Sequence, residues 1–335
     1  MRVVFLNYYS GLLNRGGESF VHELANHLSL NNQVSVFQSG NKSPDSHYEV
    51  ISKKAGSVFL FTLKCLPLLL KTKPDIVFPL NGRFEVLICR LYVSFSKAKL
   101  VIAGQSGPGF DDRWNLLMKP HVFVALTNRQ FDWAQKASFW KQKIVKISNG
   151  VDMNKFNPTG SKAKVPLKNP VILIVAAPTV SKRVEQTIKA VAKLDNASLL
   201  LLGTGSLNKK IDSLGKNLLG PNRFFHTSVS HEEMPKYYRC ADVFTLCSKS
   251  SEAFGIVYIE AMASGLACVA TDDVSRREII GQAGEYVSNP SNATEYAKAL
   301  KKALSKNWGN IPKLQAEKYS WDNITAQYEK LFQQI

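Results

Sequence analysis

Apolar residues recur along this chain in two alternating patterns: short continuous runs, and longer stretches with helical spacing. In the first half the runs fall at 3–7, 33–38, 75–79, 100–103, 122–126 and 144–147, and each reads as a strand. Between them lie helical patterns at 19–30, 59–71, 84–95 and 128–136. In 19–30 the apolar positions Phe20, Val21, Leu24 and Leu28 fall on one helix face. The second half repeats the alternation, with strands at 171–176, 198–202, 223–225, 243–246 and 267–271. Its helices are expected at 183–194, 208–214 and 232–240, with a final amphipathic one at 321–334. This alternation of strand and helix predicts doubly wound parallel sheets. Residues 157–169, dominated by Pro, Gly and Lys, form the one clear linker, so two α/β domains are expected.

Length supports that division, since 335 residues suit two domains of ordinary size. The longest apolar run, 58–70, is interrupted by Lys64 and Pro67 and falls short of the ~20 residues a bilayer span needs. The N-terminus reads as a strand and lacks the features of a signal peptide. Five scattered cysteines with no C-x-x-C pair suggest a reduced, cytosolic, zinc-free chain. The formal charge is +17, which favours anionic partners. Residues 1–163 hold 21 Lys and Arg against 10 Asp and Glu, so most of the excess sits in the first half. No motif of a DNA- or RNA-binding module is present, and nucleic acid is not an expected partner. Lys64, Lys71 and Lys73 flank apolar residues 59–61 and 66–70. Such a helix lies either on an anionic membrane surface or in the core with solvated lysines.

The densest candidate chemistry is the run 251–265, Ser-Glu-Ala-Phe-Gly-Ile-Val-Tyr-Ile-Glu-Ala-Met-Ala-Ser-Gly. A helix is expected to open at Glu260 and to stop at Gly265. That would put Glu252 on a loop at the mouth of the sheet and Glu260 in a first helical turn. Ala253, Phe254, Gly255 and Ile256 would offer backbone N–H groups at the same helix start, which is an anion site. Carboxylates accept the hydrogens of paired hydroxyls, and helix-start amides hold phosphate. Both together suit a sugar nucleotide. The plain alternative is a surface acid beside a glutamate favoured by the helix dipole.

The full string resembles the signature of retaining glycosyltransferase family 4. The resemblance implies the GT-B fold: two Rossmann-like doubly wound parallel-sheet domains facing across a cleft. Residues 1–160 would form the acceptor-side domain and 161–320 the donor domain, with a helix at 321–335 crossing back to the first. Further segments resemble the family in the expected order. They are the Gly16-Gly17 loop and its helix, the hinge string 147–152, the loop Gly203-Thr204-Gly205, and the segment 225–230 beside the nucleobase. By resemblance, Glu252 would bind sugar hydroxyls, Glu260 the ribose diol and Lys182 the donor phosphate. Gly16 and Gly17 would close over the donor, and Val229 would lie by the base. The expected activity is transfer of a hexose from a nucleotide-diphosphate sugar to a glycan, lipid-linked or other hydroxyl acceptor. No cofactor beyond the donor is implied. No D-x-D string exists for a bridging metal, so cations and helix dipoles would stabilise the leaving diphosphate.

Two departures from the family bear on activity. Ala176-Ala177 stands where Gly-Arg is usual, leaving Arg183 as the substitute cation. Gln105 lies in a loop where the family often has a histidine; it can bond a sugar hydroxyl but cannot act as a base. These departures motivate an alternative reading, a catalytically weakened GT-B protein that retains a sugar-nucleotide or glycan site. The expected location is cytoplasmic, peripheral at the inner face of a membrane.

Overall fold

Val3, Val4, Phe5 and Leu6 are all fully buried, as a parallel strand covered on both faces must be. In the computed structural model, which describes residues 1–13, 16–140, 142–249 and 252–335, they form β1, Arg2–Asn7. Ser251, the first residue of the glutamate string, lies outside the described residues. The chain separates into two units, 1–150 with 321–335, and 151–320.

The first unit is a parallel sheet of β1, β2 (Gln33–Gln38), β3 (Glu49–Ser52), β4 (Ile76–Pro79), β5 (Lys99–Ala103), β6 (Val122–Ala125) and β7 (Lys143–Lys146), in the order 3-2-1-4-5-6-7. Alternation along β1 sorts its side chains between two cores. Val3 and Phe5 join the core under helices Gly16–Leu28 and Trp321–Gln333. Val4 and Leu6 join the core under Val58–Thr72, Arg83–Ser94 and Asn128–Ala137. Helix starts carry local signals: Ser57 accepts from Leu60 N–H, and Thr127 from Gln130 N–H. The C-terminal helix belongs to this unit through Trp321 and Tyr328, whose rings pack on Phe20. Gly150 admits that helix, because a β-carbon there would overlap the Trp321 indole.

The second unit is a parallel sheet of β8 (Val171–Val175), β9 (Ser198–Leu202), β10 (Phe224–Thr227), β11 (Val243–Leu246), β12 (Ala267–Thr271) and β13 (Gly284–Val287), in the order 10-9-8-11-12-13. Its order reverses between β8 and β11, and that of the first unit reverses between β1 and β4. Crevices at the carboxyl ends of such strands are where doubly wound sheets bind ligands.

The division between units falls at 150/151, ten residues before the expected 160. Val151 bridges to Ser320, and Arg239 binds the carbonyls of Asn157 and Ser161. These bonds tie the segment after Gly150 to the second unit. Two further expectations are corrected. Gly16 and Gly17 open the helix Gly16–Leu28 itself and are not in a loop before it. The helix of the glutamate string runs Ile256–Ala263, so Glu260 lies in its second turn and does not open it. Gly255, at φ 88°, starts the helix earlier than the acid suggested.

Candidate active site in the second unit

The loops after β8 and β11 meet at the switch point of their sheet. Lys249 N–H donates to the Ser181 carbonyl at 2.8 Å, and Glu252 N–H to the Lys249 carbonyl at 3.2 Å. This bracing brings Lys182, on the first loop, against Glu252, on the second, and the two form an ion pair. Their side chains are 25% and 19% exposed, so the pair is partly withdrawn from water yet open to a ligand. Beyond Glu252 the chain turns through Ala253 and Phe254 into Gly255. Phe254 is buried, its ring edge-on to Tyr319 at 5.8 Å. The N–H groups of Phe254, Gly255 and Ile256 meet no acceptor among the described residues, as is usual at a helix start. Arg183 adjoins Lys182 in the left-handed conformation, φ 53°, at the start of helix Val184–Val191. Its side chain has no hydrogen bond or ion pair among the described residues. Two cations and a helix-start turn beside a carboxylate make a place where a diphosphate and a hydroxyl can both be held.

Glu260 is 6% exposed and is held by residues far away in sequence. Tyr238 Oη donates to its Oε2 at 2.7 Å, and His231 Nε2 stands 3.2 Å from its Oε1. Lys155 Nζ donates to His231 Nδ1 at 3.0 Å. The ring tautomer that satisfies both contacts carries its hydrogen on Nε2 and donates it to Glu260. Phe156 packs against both His231 and Tyr238. Burial and the neighbouring Glu260 charge push the Tyr238 hydroxyl well above its usual pKa, so it remains a donor. Val229, itself half-buried between exposed Ser228 and Ser230, lies on the loop that leads into this cluster. His226 is structural: its Nδ1 meets Asp212 at 2.6 Å and its Nε2 the Gly203 carbonyl at 2.8 Å. Gly203 and Gly205 are required by packing, because β-carbons there would run into the backbone at Ala176 and Pro178.

Gln105, Gly16 and Gly17 lie in the first unit. The amides of Gln105 and Asn149 bond each other reciprocally, at 2.9 and 3.2 Å. Gln105 also lines a cavity of 360 Å³ at the carboxyl ends of β4 and β5, together with Tyr9, Asn81, Arg83, Asp112 and Asn115. Asp112 is fully buried, and burial pushes its carboxyl up to about 7. Its Oδ2 accepts from Gln130 Nε2 at 2.7 Å. Its Oδ1, like Asn115 Oδ1, has no hydrogen-bond partner among the described residues. The sequence reading missed His231, Tyr238 and Lys155, as well as Asp112 and Asn115. Only the acid pair Asp111-Asp112 after the glycine-rich turn 104–109 was visible as a local signal.

The fold is GT-B, two Rossmann-like parallel-sheet domains. The chain superposes over its whole length on Anabaena Alr3699/HepE in complex with UDP and glucose, with TM-score 0.82 at 16% identity and all of that chain covered. It superposes over 99% of its length on 98% of a sucrose-phosphate synthase from Thermosynechococcus elongatus, with TM-score 0.82 and 16% identity. Residues 159–319, nearly the whole second unit, match the family described as Glycosyl transferases group 1. In sequence the chain is 34% identical over 170 residues to an uncharacterized glycosyltransferase of Methanocaldococcus jannaschii, covering 47% of this chain and 43% of that protein. It is 29% identical over 177 residues to a phosphatidyl-myo-inositol mannosyltransferase of Mycolicibacterium smegmatis, covering 51% and 42%. These alignments therefore span less than half the length of the curated relatives.

Proposed function

We propose that the protein is a retaining glycosyltransferase that moves a hexose from a nucleoside-diphosphate sugar to the hydroxyl of a glycan or lipid-linked acceptor, using neither metal nor cofactor. The observation that carries this reading is the Lys182–Glu252 pair beside the turn 254–256, within the segment that matches Glycosyl transferases group 1. In this mechanism Lys182, Arg183 and the three N–H groups stabilise the charge that grows on the departing diphosphate. Glu252 accepts from hydroxyls of the sugar, and Glu260, fixed by Tyr238 and His231, accepts from the ribose diol. The bond from the anomeric carbon to the phosphate oxygen breaks as the acceptor oxygen attacks on the same face. The acceptor proton passes to the departing phosphate oxygen. No carboxylate nucleophile of the glycosidase type takes part.

On the acceptor side, the cavity lined by Asn81, Arg83, Gln105, Asp112 and Asn115 offers polar side chains that can bond sugar and polyol hydroxyls. The name of the mycobacterial relative includes an inositol lipid, which supports a lipid-linked polyol as the first acceptor class to try. The HepE complexes support UDP as the first donor nucleotide.

The test is a thermal-shift titration with UDP-, GDP-, ADP- and dTDP-sugars, run beside Glu260→Ala, followed by donor hydrolysis with Glu252→Ala. A stabilising shift with one nucleotide, lost in Glu260→Ala, together with hydrolysis lost in Glu252→Ala, is the expected result. No shift with any of the four would overturn the reading. Ala176-Ala177 and the Gln105–Asn149 pair favour one rival, a sugar-nucleotide-binding protein without turnover. Binding with no hydrolysis or transfer would select it.

A further inference from the structure

Helix Val58–Thr72 is apolar on its water side as well as its core side. Phe61, Cys65 and Leu69 are fully buried, while Phe59, Leu60, Leu63 and Leu70 are 43 to 60% exposed. The neighbouring helix Arg83–Ser94 repeats the arrangement. Cys89 and Tyr92 point inward, whereas Phe84 and Leu91 are more than half exposed, and Phe95 just beyond the helix is 90% exposed. The Phe59 and Phe84 rings join the two helices edge to face at 5.6 Å. Soluble surfaces scatter exposed apolar residues singly, and a contiguous set marks a binding face. Between the helices runs a groove of 760 Å³, lined by Leu63, Leu66, Leu70, Ile88, Leu91 and Phe95. Arg2, Lys73 and Lys97 stand at its rim.

Charge identifies the occupant. Residues 51–100 carry nine Lys and Arg against two acids, Asp75 and Glu85. Glu85 does not offset the field outside, whereas Asp75, exposed and lining the groove, cancels one of these nine charges. Asp75 accepts from the Arg2 backbone N–H at 2.7 Å. Glu85 is fully buried and takes the N–H groups of Leu80 and Asn81 at 2.9 Å, and burial pushes its carboxyl up to about 7. Two copies of so basic a face repel each other, which argues against a homodimer formed through it. A partner that brings both negative headgroups and hydrocarbon meets the cationic rim and the apolar groove together.

We infer that this two-helix face docks on an anionic lipid bilayer. The exposed phenylalanines and leucines enter the boundary between headgroups and acyl chains, the lysines stay at phosphate level, and the groove receives an acyl chain. No helix among the described residues is long and apolar enough to cross a membrane, so the contact is made by a surface. This attachment does not depend on the transfer reaction and can be tested without a donor.

The experiment is co-sedimentation of the full chain with vesicles of phosphatidylcholine, with and without phosphatidylglycerol, at low and high salt. The variants are Leu63→Ser with Leu91→Ser, and Lys73→Glu with Lys97→Glu. All four side chains are at the surface, and an unchanged melting temperature verifies the fold. The expected result is binding to the phosphatidylglycerol vesicles that weakens with salt. Each variant pair should bind at least about tenfold more weakly, since each lysine near such a surface counts for nearly one order of magnitude in affinity. No sedimentation at low salt, or full binding by both variant pairs, would overturn the inference. So would a concentration-dependent dimer broken by the same substitutions in a protein that ignores vesicles.

Discussion

In the unliganded protein Lys182 is already neutralised by Glu252, so a diphosphate that takes Lys182 must displace that carboxylate and approach it closely. Glu252→Gln should therefore strengthen the binding of a nucleoside diphosphate that carries no sugar. Two opposite charges at contact attract by about 4 kcal/mol at the effective dielectric of a protein surface. With side chains 25% and 19% exposed, solvent and side-chain entropy reduce the net to about 1 kcal/mol. The expected gain is thus about fivefold in Kd. Lys182→Met removes a charge-assisted bond of about 1.5–3 kcal/mol and should weaken the same ligand about 10- to 100-fold. Calorimetric titration with UDP, GDP, ADP and dTDP reads both effects on whichever nucleotide binds. With the matching nucleotide sugar, Glu252→Gln should gain less, because its contact to the sugar hydroxyls is weakened. Equal or weaker binding of the sugar-free diphosphate by Glu252→Gln would refute the reasoning, because Lys182 and Glu252 would then not be competing for it.

Other expectations follow from the same geometry. Tyr238→Phe leaves the buried Glu260 without its Oε2 donor and should cost about 1–3 kcal/mol, read in denaturant melts. Trp321→Ala empties a site in the aromatic core of the first unit and should cost about 3–5 kcal/mol, whereas Gly150→Ala should cost about 1–3 kcal/mol by overpacking against the same ring. Burial raises the Asp112 carboxyl from 3.8 to about 7, so between those values the folded state binds more protons than the unfolded. The stability this group contributes is complete below about pH 4 and is lost as pH rises through about 7. Asp112→Asn should flatten the fall in melting temperature across that window, and an unchanged profile would show that Asp112 ionises without cost.

Much of the fold can be read from the chain because its strands are buried on both faces. Runs such as 171–175 and 199–202 are apolar without interruption, and the turns after them, Ala176-Ala177-Pro178 and Gly203-Thr204-Gly205, end each element. β3 escaped that reading since its four residues, Glu-Val-Ile-Ser, are only partly covered and carry a weak pattern. The helix Phe110–Leu117 was hidden by the polar Asp-Asp-Arg within it. The start of helix Ile256–Ala263 was misplaced because an acid suggests a first turn, whereas the left-handed Gly255 set the boundary. Within the candidate site, Lys182, Glu252 and Glu260 each stood out in their own segments. Their partners did not, because Tyr238 and His231 reach Glu260 across 22 and 29 residues and no local spacing encodes those contacts. The lack of a partner for Asp112 Oδ1 and Asn115 Oδ1 among the described residues is likewise a property of packing alone.

The last helix of the chain has a consequence for biosynthesis. Trp321, Tyr328 and Phe332 complete a core whose other members, including Phe5, Phe20 and Phe78, are synthesised before residues 151–320. The intervening residues 151–320 form a unit of their own. At ordinary elongation rates the nascent first unit waits roughly ten to thirty seconds with that aromatic face uncovered. The second unit, continuous in sequence, can close while the first is still waiting. The half that is made first is therefore finished last, and during that interval it is the part of the molecule most exposed to aggregation and to capture by chaperones.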